Sequence, residues 1–360
     1  MSKQATNLTT KLQSLPKGQR ILIYAAVFAA IGILLLAITK AAGPFVAVEP
    51  ENATLTSSAS VGSDASASGG RYAQFGEAAT YPGQPPVGKL LWGAAVSSNG
   101  DPVPRHEIPA NHILTVRRTF FQWSHRTGYM ITIATDDLAN GRLPWVSLKT
   151  PSWADMGAGL HDSEIDEMLT ALEGLNGPIW LTIHHEPEGG GGNNFPDDPA
   201  GPVGHVAMNR RVRERMTALG TKNIALSPVL MGWTFNPASG RNPDEWWEPG
   251  IYDFLGLDPY VFTEDTMITP AWLTSRLWAE ERNVDIAVAE WGMQGSDAAA
   301  GSRMQEWYDH AANSWNDGLG ARVTGLTVFD SEVGGDWVLE GEQLTTFWDL
   351  LNDSRTFDAI

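Results

Sequence analysis

The chain has 360 residues and no cysteine, which excludes disulfides and thiol catalysis. Its net charge is −18, and residues 1–40 hold five basic residues and no acidic ones. The rest of the chain, with 19 basic and 42 acidic residues, should therefore repel nucleic acid and anionic membrane surfaces, so we expect a neutral substrate.

A basic tail at residues 1–20 precedes an apolar segment. Residues 21–38 carry no charge and are long enough to span a bilayer. Because the basic flank should stay in the cytoplasm, we expect a single-pass anchor at residues 21–42 with the remaining chain extracytoplasmic. A cleaved signal peptide is the alternative, since residues 41–43 are small, but the apolar run is long for one.

Residues 43–88 are rich in Ser, Ala, Gly and Pro, which predicts a disordered spacer. Within it, residues 48–55 and 65–76 resemble the opening strands of carbohydrate-binding β-sandwich modules. So short a segment falls well below the roughly 100 residues of a sandwich. We interpret it as a remnant without a binding role.

From residue 89 onward, strand and helix patterns alternate, as in parallel α/β proteins. Predicted strands span residues 90–96, 114–121, 145–148, 179–183, 224–228, 254–257, 286–289 and 323–329; predicted helices span 163–172, 205–219, 270–282, 302–315 and 342–351. Eight strands predict an α/β fold of the (β/α)8 TIM barrel type over residues 89–360. A doubly wound open sheet is the alternative, disfavoured because no Gly-rich phosphate loop follows the first strand.

Polar and aromatic residues follow several predicted strands at the end where barrels carry active sites. The fourth strand ends in His184, His185 and Glu186, and the seventh ends in Glu290 and Trp291. Two carboxyl groups, one protonated and one ionised, are what glycosidic bond cleavage requires. The two glutamates are therefore the main candidates for catalysis.

These two segments resemble those of glycoside hydrolase family 26, the β-mannanase-like retaining enzymes. The residues that carry the resemblance are His185-Glu186 and the segment from Ala289 to Gly292. The resemblance implies a TIM barrel, no cofactor, Glu186 as acid/base, Glu290 as nucleophile and His185 as a partner in the site. Tyr260, after the sixth strand, is similar to the family's tyrosine that hydrogen-bonds the nucleophile.

Other features depart from that family. Pro187, Glu188 and Gly189 follow the first glutamate, where the family commonly has Asn-Gly, and Phe329 and Asp330 end the eighth strand, where it often has tryptophan. The family's mannan-specific contacts therefore cannot be transferred to this chain. Four further residues are candidates for substrate binding: Trp153, Trp233, Trp291 and Asp330. Each of the three tryptophans could equally pack in the core.

Strand alternation raises a geometric question. Side chains of His184 and Glu186 should share one face and His185 the other, so the strand end must bulge or turn if His185 and Glu186 both enter the site. Likewise, only one of Arg117 and Arg118 can face the barrel interior.

The sequence thus predicts a membrane-anchored retaining glycoside hydrolase whose partner is a neutral β-linked polysaccharide, and the resemblance implies a mannan-like substrate and an endo-β-mannanase activity. We expect ionised Glu290 to raise the pKa of Glu186, giving a bell-shaped pH profile. One alternative is a catalytically silent barrel that binds surface glycan as an adhesin. The other is a metal-dependent hydrolase using His184, His185, Glu186 and Glu188, although the sequence has no H-E-x-x-H spacing.

Overall fold

The structure, a computed structural model, describes residues 16–19, 23, 26, 59–63, 71–75, 80–189, 196–260 and 269–358. The chain divides into two compact units, residues 1–74 and 75–360. The predicted anchor lies outside the described residues, apart from Ile23 and Ala26. Within the described part of the chain, no helix combines the length and hydropathy needed to cross a membrane.

The larger unit contains one sheet of parallel strands that closes on itself. Its strands are β1 Leu91–Val96, β2 Val116–Gln122, β3 Leu143–Lys149, β4 Ile179–Ile183, β5 in two segments (Ile224–Leu226 and Val229–Met231), β6 Leu255–Asp258, β7 Ile286–Trp291 and β8 Val323–Asp330. The first segment of β5 pairs with β4 and the second pairs with β6, so β5 closes the barrel. Pro228, which has no N–H to donate, lies at the break between them. The predicted TIM barrel is confirmed, and the open sheet is not formed.

Helices pack around the strands. They are α1 Tyr129–Ala139, α2 Trp153–Gly157, α3 Asp162–Glu173, α4 Gly201–Leu219, α5 Pro270–Glu281, α6 Ala298–Asn313 and α7 Gly341–Leu351. The five predicted helices are present, whereas α1 and α2 were not predicted. Helix α1 is rich in β-branched residues, which lower helix propensity. Met130, Ile133, Ala134 and Asp137 are its buried residues, and their helical spacing shows that packing stabilises it.

The apolar residues form two cores, as barrel geometry requires. Trp145, Trp180 and Phe254 belong to the inner core, which fills the barrel. The outer core lies between the strands and the helices. Successive residues of β4 alternate between them, since Trp180 belongs to the inner core and Leu181 to the outer one.

The predicted domain boundary at residue 89 is wrong, because part of the predicted spacer plugs the amino-terminal mouth of the barrel. Tyr81 is buried and stacks on Phe254 at a centroid distance of 5.1 Å. The hydroxyl of Tyr81 donates to Asp285 at 3.1 Å, and Trp180 Nε1 donates to the carbonyl of Pro82 at 3.0 Å. Residues 80–88 therefore belong to the barrel.

Two segments of the predicted spacer nearer the amino terminus also form strands, contrary to the predicted disorder. Strands Ala59–Ser63 and Arg71–Phe75 pair in a two-stranded sheet. The second strand falls within the segment that resembles a carbohydrate-binding module. Most other residues of the predicted spacer lie outside the described ones.

Candidate active site

A cavity of about 700 Å³ opens at the carboxyl ends of the barrel strands, and both predicted catalytic glutamates line it. Its wall is formed by Val96, Ser97, Ser98, Asn99, Phe120, Phe121, Gln122, His125, Tyr129, Lys149, His185, Glu186, Met231, Tyr260, Glu290, Phe329, Ser331, Val333, Gly334 and Trp337. Aromatic rings and neutral polar side chains dominate this surface. Such a lining suits the apolar faces and hydroxyl groups of sugars.

The end of β4 turns so that two consecutive side chains enter the cavity. His184 and Glu186 have positive φ angles of 60° and 49°, which break the alternation of the strand. Both His185 and Glu186 then line the cavity, whereas His184 packs against Trp153 in the outer layer. The N–H of Glu186 donates to the carbonyl of Val229 at 2.8 Å, which fixes the turned segment to β5. The predicted departure from strand geometry is confirmed.

The neutral form of His185 is fixed in the wall beside Glu186. Its Nδ1 lies 3.0 Å from the hydroxyl of Ser147, and its ring packs against Phe120 at a centroid distance of 5.3 Å. Burial lowers the pKa of His185 well below its usual range. The imidazole is therefore uncharged and can act as a hydrogen-bonding partner rather than a cation.

Glu290 is presented by an irregularity at the end of β7. The pairing of β7 with β8 shifts register between Val288 and Trp291, as a bulge does. Ala289 belongs to the inner core and Trp291 stacks on Trp307 in the outer layer, while Glu290 lines the cavity. A local break in the alternation of side chains along β7 thus brings Glu290 into the cavity, as the turned end of β4 brings Glu186 there.

Two donors contact the carboxyl group of Glu290. The hydroxyl of Tyr260 donates to Glu290 Oε2 at 3.0 Å, the contact that the family resemblance implied. Arg118 Nη2 lies 3.7 Å from Glu290 Oε1. Arg118 is therefore the arginine inside the barrel, whereas Arg117 forms an ion pair with Asp137 at 3.0 Å. Both Arg118 and Tyr260 favour negative charge on Glu290.

The electrostatics of the site distinguish the two glutamates. Burial raises the pKa of Glu186, the predicted direction, although desolvation and not Glu290 is the leading cause. Burial also raises the pKa of Glu290 to about 7, opposed by Arg118 and by the Tyr260 hydrogen bond. The negative charge of Glu186 also raises the pKa of Glu290. Arg118 and Tyr260 instead favour the ionised form of Glu290, which is the form that a nucleophile requires.

Lys149, at the end of β3, was not predicted as a site residue. Its Nζ donates to Asp197 Oδ2 at 2.9 Å and to the carbonyl of His185 at 3.4 Å. The ammonium group lines the cavity and lowers the pKa of Glu186 against the effect of burial. Lys149 thus ties the turned end of β4 to β3 and places a positive charge near the acid/base candidate.

Three of the predicted substrate-binding residues lie elsewhere. Trp153 is fully buried and donates from Nε1 to His184 Nδ1 at 3.1 Å, and Trp291 is fully buried against Trp307. Neither ring has a face open to a sugar, so both predictions are wrong. Trp233 is 45% exposed in the loop after β5, outside the cavity lining, and its role stays a prediction.

Asp330 is also wrongly predicted, because it stabilises the loop after β8. Its carboxylate accepts from Arg105 Nε at 2.9 Å and from the N–H of Leu339 at 2.8 Å, and it lies 2.9 Å from His106 Nε2. Although burial disfavours its charge, the hydrogen bonds from His106 and Arg105 lower the pKa of Asp330 to about 2. The carboxylate therefore remains ionised and holds the loop.

That loop carries Trp337, which the sequence analysis missed. The Trp337 ring lines the cavity and packs on Tyr260 at a centroid distance of 5.0 Å. Its backbone N–H donates to the carbonyl of Ser331 at 3.1 Å. The signal in the sequence was a tryptophan in the glycine-containing segment just beyond the eighth strand. Residues at the strand ends alone do not include it.

The four residues weighed as metal ligands have separate partners. His184 Nε2 lies 3.1 Å from Asp197, and Glu188 is buried and accepts from Thr234 Oγ1 at 2.7 Å and from the N–H of Met231 at 3.0 Å. Burial raises the pKa of Glu188 to about 7. Among the described residues, no group of three or more His, Asp and Glu side chains is arranged to hold a metal ion.

Comparison with solved structures identifies proteins of the same fold, although no family model and no curated protein matches the sequence. A modular endo-β-1,4-mannanase of glycoside hydrolase family 26 from Cellulomonas fimi superposes with a TM-score of 0.54 at 16% identity, over 76% of this chain and 72% of that one. The family 26 domain of a Prevotella bryantii endo-β-mannanase/endo-β-glucanase gives 0.53 at 12% identity, over 75% and 90%. A β-mannanase from a symbiotic protist of the termite Reticulitermes speratus, complexed with gluco-manno-oligosaccharide, gives 0.52 at 13% identity, over 75% and 88%. The predicted resemblance is confirmed at the level of the fold: this chain shares the barrel of the family 26 β-mannanases.

Proposed function

We propose that this protein is a retaining glycoside hydrolase with Glu186 as acid/base and Glu290 as nucleophile. The observation that carries the proposal is that both glutamates line one cavity, and that Tyr260 and Arg118 contact Glu290. Because both donors favour negative charge, that asymmetry supports Glu290 as the nucleophile and leaves Glu186 as the proton donor.

In the first step, ionised Glu290 attacks the anomeric carbon and the Glu186 carboxyl gives its proton to the departing glycosidic oxygen. In the second step, ionised Glu186 takes a proton from water, which attacks the same carbon and releases Glu290. Arg118 and Tyr260 hold the Glu290 carboxylate in place, and neutral His185 adjoins Glu186 in the wall. No cofactor takes part.

The proposed substrate is a neutral β-linked polysaccharide of the mannan type, cleaved internally. Phe120, Tyr260, Phe329 and Trp337 supply aromatic surface in the cavity, and the chain's net charge of −18 disfavours polyanions. The superposed structures from Cellulomonas fimi and Prevotella bryantii are described as an endo-β-1,4-mannanase and as a domain of an endo-β-mannanase/endo-β-glucanase, which supports mannan as the first substrate to test.

We also propose that residues 21–42 anchor the protein and that the barrel is extracytoplasmic. The support is the uncharged run at residues 21–38 with basic residues before it. A polysaccharide is too large to enter a cell freely, so this orientation gives the barrel access to its substrate.

The test is to assay the full chain against a panel of neutral polysaccharides, measuring release of reducing ends. We expect activity that falls about 10²- to 10⁴-fold in Glu186→Gln and in Glu290→Gln, as for loss of acid–base or nucleophilic groups. Proton NMR of the first product should show retention at the anomeric carbon.

Three outcomes would contradict the proposal. Binding of glycan without release of reducing ends indicates a silent, adhesin-like barrel. Loss of activity with a chelator indicates a metal-dependent hydrolase. Inversion at the anomeric carbon would leave a glycosidase but remove Glu290 as nucleophile.

A further inference from the structure

The hydroxyl of Tyr260 reaches Glu290 from a residue that lies beyond the end of β6. Strand β6 ends at Asp258, and its pairing with the neighbouring strands does not extend to Tyr260. The hydrogen bond from Tyr260 to Glu290 is 3.0 Å long, and such a bond weakens steeply when its distance or angle changes. The Tyr260 ring must therefore be held by contacts from outside β6.

Two aromatic rings from β8 and the segment after it contact the Tyr260 ring. Phe329, in β8, meets it nearly perpendicularly at a centroid distance of 6.0 Å. Trp337 packs on it at a centroid distance of 5.0 Å and an interplanar angle of 46°. Phe329 belongs to the barrel strand itself, whereas Trp337 belongs to residues 331–340, which we call the β8 loop. The position of Tyr260 therefore depends on how that loop is held.

The Trp337 ring packs against the backbone next to the proposed nucleophile. It is 4% exposed. A Cβ atom at Gly292, two residues after Glu290, would lie 2.8 Å from Trp337 Cε3, and one at Gly335 would lie 2.7 Å from Trp337 Nε1. Both distances are too short for a side chain, so the ring occupies space that only glycine leaves open. Trp337 thus contacts both Tyr260 and the segment that carries Glu290.

Polar contacts hold the β8 loop at both ends. The N–H of Trp337 donates to the carbonyl of Ser331 at 3.1 Å. The N–H of Leu339 donates to Asp330 Oδ1 at 2.8 Å, and the Leu339 carbonyl accepts from Arg105 Nη2 at 2.5 Å. Arg105 and Asp330 form an ion pair with a distance of 2.9 Å from Nε to Oδ2. Neither member of that ion pair lines the cavity.

The electrostatics of Glu290 give this arrangement a measurable consequence. The hydrogen bond from Tyr260 lowers the pKa of Glu290. Other titratable groups from the neighbouring strand ends also act on Glu290, namely Arg118, Lys149, Glu186 and Asp258. None of those groups belongs to the β8 loop. A displacement of the Tyr260 ring would therefore remove one influence on Glu290 and leave the others in place.

We propose that Trp337 is a positioning residue, which keeps the hydroxyl of Tyr260 in contact with Glu290. The ion pair of Arg105 and Asp330 holds Trp337 in turn, through the β8 loop. The inference rests on the proposed function, because it concerns the nucleophile of that reaction. Trp337 acts through Tyr260 and takes no part in bond cleavage itself. Its contribution should therefore appear in the chemical step and not only in the binding of glycan.

The first test measures the pH dependence of kcat and kcat/KM on soluble β-mannan for the full-length parent, Trp337→Ala and Trp337→Phe. Loss of the Tyr260 contact raises the pKa of Glu290, which must be ionised in the first step. The acid limb of Trp337→Ala should therefore move to higher pH by about one unit. Its kcat should fall about 10- to 100-fold, as expected when a reacting group is misplaced. Trp337→Phe keeps a ring against Tyr260 and should lie closer to the parent in both quantities.

The second test is a double-mutant cycle between Trp337→Ala and Tyr260→Phe. Because Trp337 acts through the Tyr260 hydroxyl, Trp337→Ala should lower kcat little further in the Tyr260→Phe background. Additive losses would overturn the proposal, and so would a change in KM alone with the acid limb fixed. Trp278→Ala is the matched control, since Trp278 is a buried tryptophan of α5 outside the cavity lining. It should lower the free energy of unfolding without moving the acid limb.

Asp330→Asn tests the same arrangement from outside the cavity, and it keeps the proposal testable if Trp337→Ala does not fold. Loss of the Asp330 carboxylate would by itself lower the pKa of Glu290, because a negative charge disfavours ionisation of a second carboxyl. Loosening of the β8 loop would instead raise that pKa by displacing Tyr260. An acid limb that moves to higher pH in Asp330→Asn therefore supports the role of the ion pair. A limb that stays fixed or moves to lower pH overturns it.

Crystal structures of the parent and of Trp337→Ala separate this inference from the proposed function. We expect the Tyr260 hydroxyl to contact Glu290 in the parent and to lie more than about 3.5 Å from it in the variant. Loss of the contact supports the positioning role even if the protein hydrolyses no glycan and the proposed function fails. An unchanged contact in Trp337→Ala overturns the positioning role and leaves the hydrolase standing.

Discussion

Left-handed backbone at His184 and Glu186 brings the acid/base candidate into the cavity. Each such residue costs roughly 1–3 kcal/mol, and that strain persists only if neighbouring contacts enforce it. Here the hydrogen bond from Glu186 to Val229 and the network of His184 with Trp153 and Asp197 provide those contacts. Single residues, rather than whole elements, therefore set the position of the catalytic carboxyl.

The distance between the two carboxyls is the sharpest prediction at this scale. For retention, the Glu186 and Glu290 carboxyl groups should lie about 5–5.5 Å apart, because no water has to fit between sugar and nucleophile. Glu290→Asp withdraws the carboxylate by one methylene and should lower kcat by about 10²-fold. A crystal structure and steady-state kinetics check both statements.

A separation beyond about 10 Å in that crystal structure would end the glycosidase proposal. A separation of about 6.5–9.5 Å would indicate an inverting enzyme instead. Glu188→Asp is the matched control, since Glu188 is buried near the site without lining the cavity.

The pH dependence provides a prediction for Lys149. The ammonium group lowers the pKa of Glu186, so its removal in Lys149→Met should raise that pKa. Glu186 must be protonated for the first step, and the alkaline limb of kcat/KM should therefore move to higher pH. The acid limb follows Glu290, whose pKa depends on burial, Arg118 and Tyr260 more than on Lys149, and should move less.

A full pH profile of kcat/KM for the parent and the variant measures this shift. Lys222→Met, a replacement of an exposed lysine that does not line the cavity, should leave both limbs in place. An alkaline limb that stays fixed or moves to lower pH in Lys149→Met would contradict the assignment of Glu186 as the acid.

At the scale of elements, residues 80–88 function as part of the barrel. Tyr81 contributes its ring to the inner core, and its hydroxyl joins a group with Gln84, Arg322 and Asp285. The Gln84 amide donates to Asp285 at 2.6 Å and Arg322 donates at 2.8 Å. The segment therefore covers aromatic residues that would otherwise face water at the barrel's amino-terminal mouth.

Tyr81→Ala should lower the free energy of unfolding by about 3–5 kcal/mol, as expected when a large aromatic side chain is removed from a core. Tyr81→Phe keeps the ring and loses only the hydroxyl contacts, so about 1 kcal/mol is expected. Urea unfolding of the full-length variants measures both values. Equal stability of Tyr81→Ala and the parent would show that the segment is not part of the folded barrel.

For the whole molecule, the charge distribution and the apolar run at residues 21–38 predict where the protein lies in the cell. We expect full-length protein in the membrane fraction and a barrel that external protease can reach in intact cells. Replacing two apolar residues, as in Leu34→Lys with Leu36→Lys, should release the protein, because each charge costs about 2.5–3.5 kcal/mol at the centre of a membrane helix. Full-length parent protein found only in the medium would contradict the anchor.

The sequence by itself determined the barrel and the two glutamates that we propose as its catalytic pair. Parallel strands buried on both faces are short apolar runs, and such runs predicted the eight strands, with β4 matched at both ends. Strand ends in a barrel meet at one face, so Glu186, Glu290 and Tyr260 could be assigned to one site before any coordinates.

Only the tertiary structure decided which aromatic side chains meet that site. Trp153, Trp291 and Trp337 are all buried, yet the first two pack in the outer layer and the third borders the cavity. The ion pairs of Asp330 and the plug formed by Tyr81 join residues distant in the chain. Local sequence patterns determine the periodicity of apolar residues and the propensity for helix or strand. The exposure of a side chain depends instead on which residues pack against it from elsewhere in the fold. That is why the meeting of Glu186 and Glu290 in one cavity was predictable and the aromatic surface around them was not.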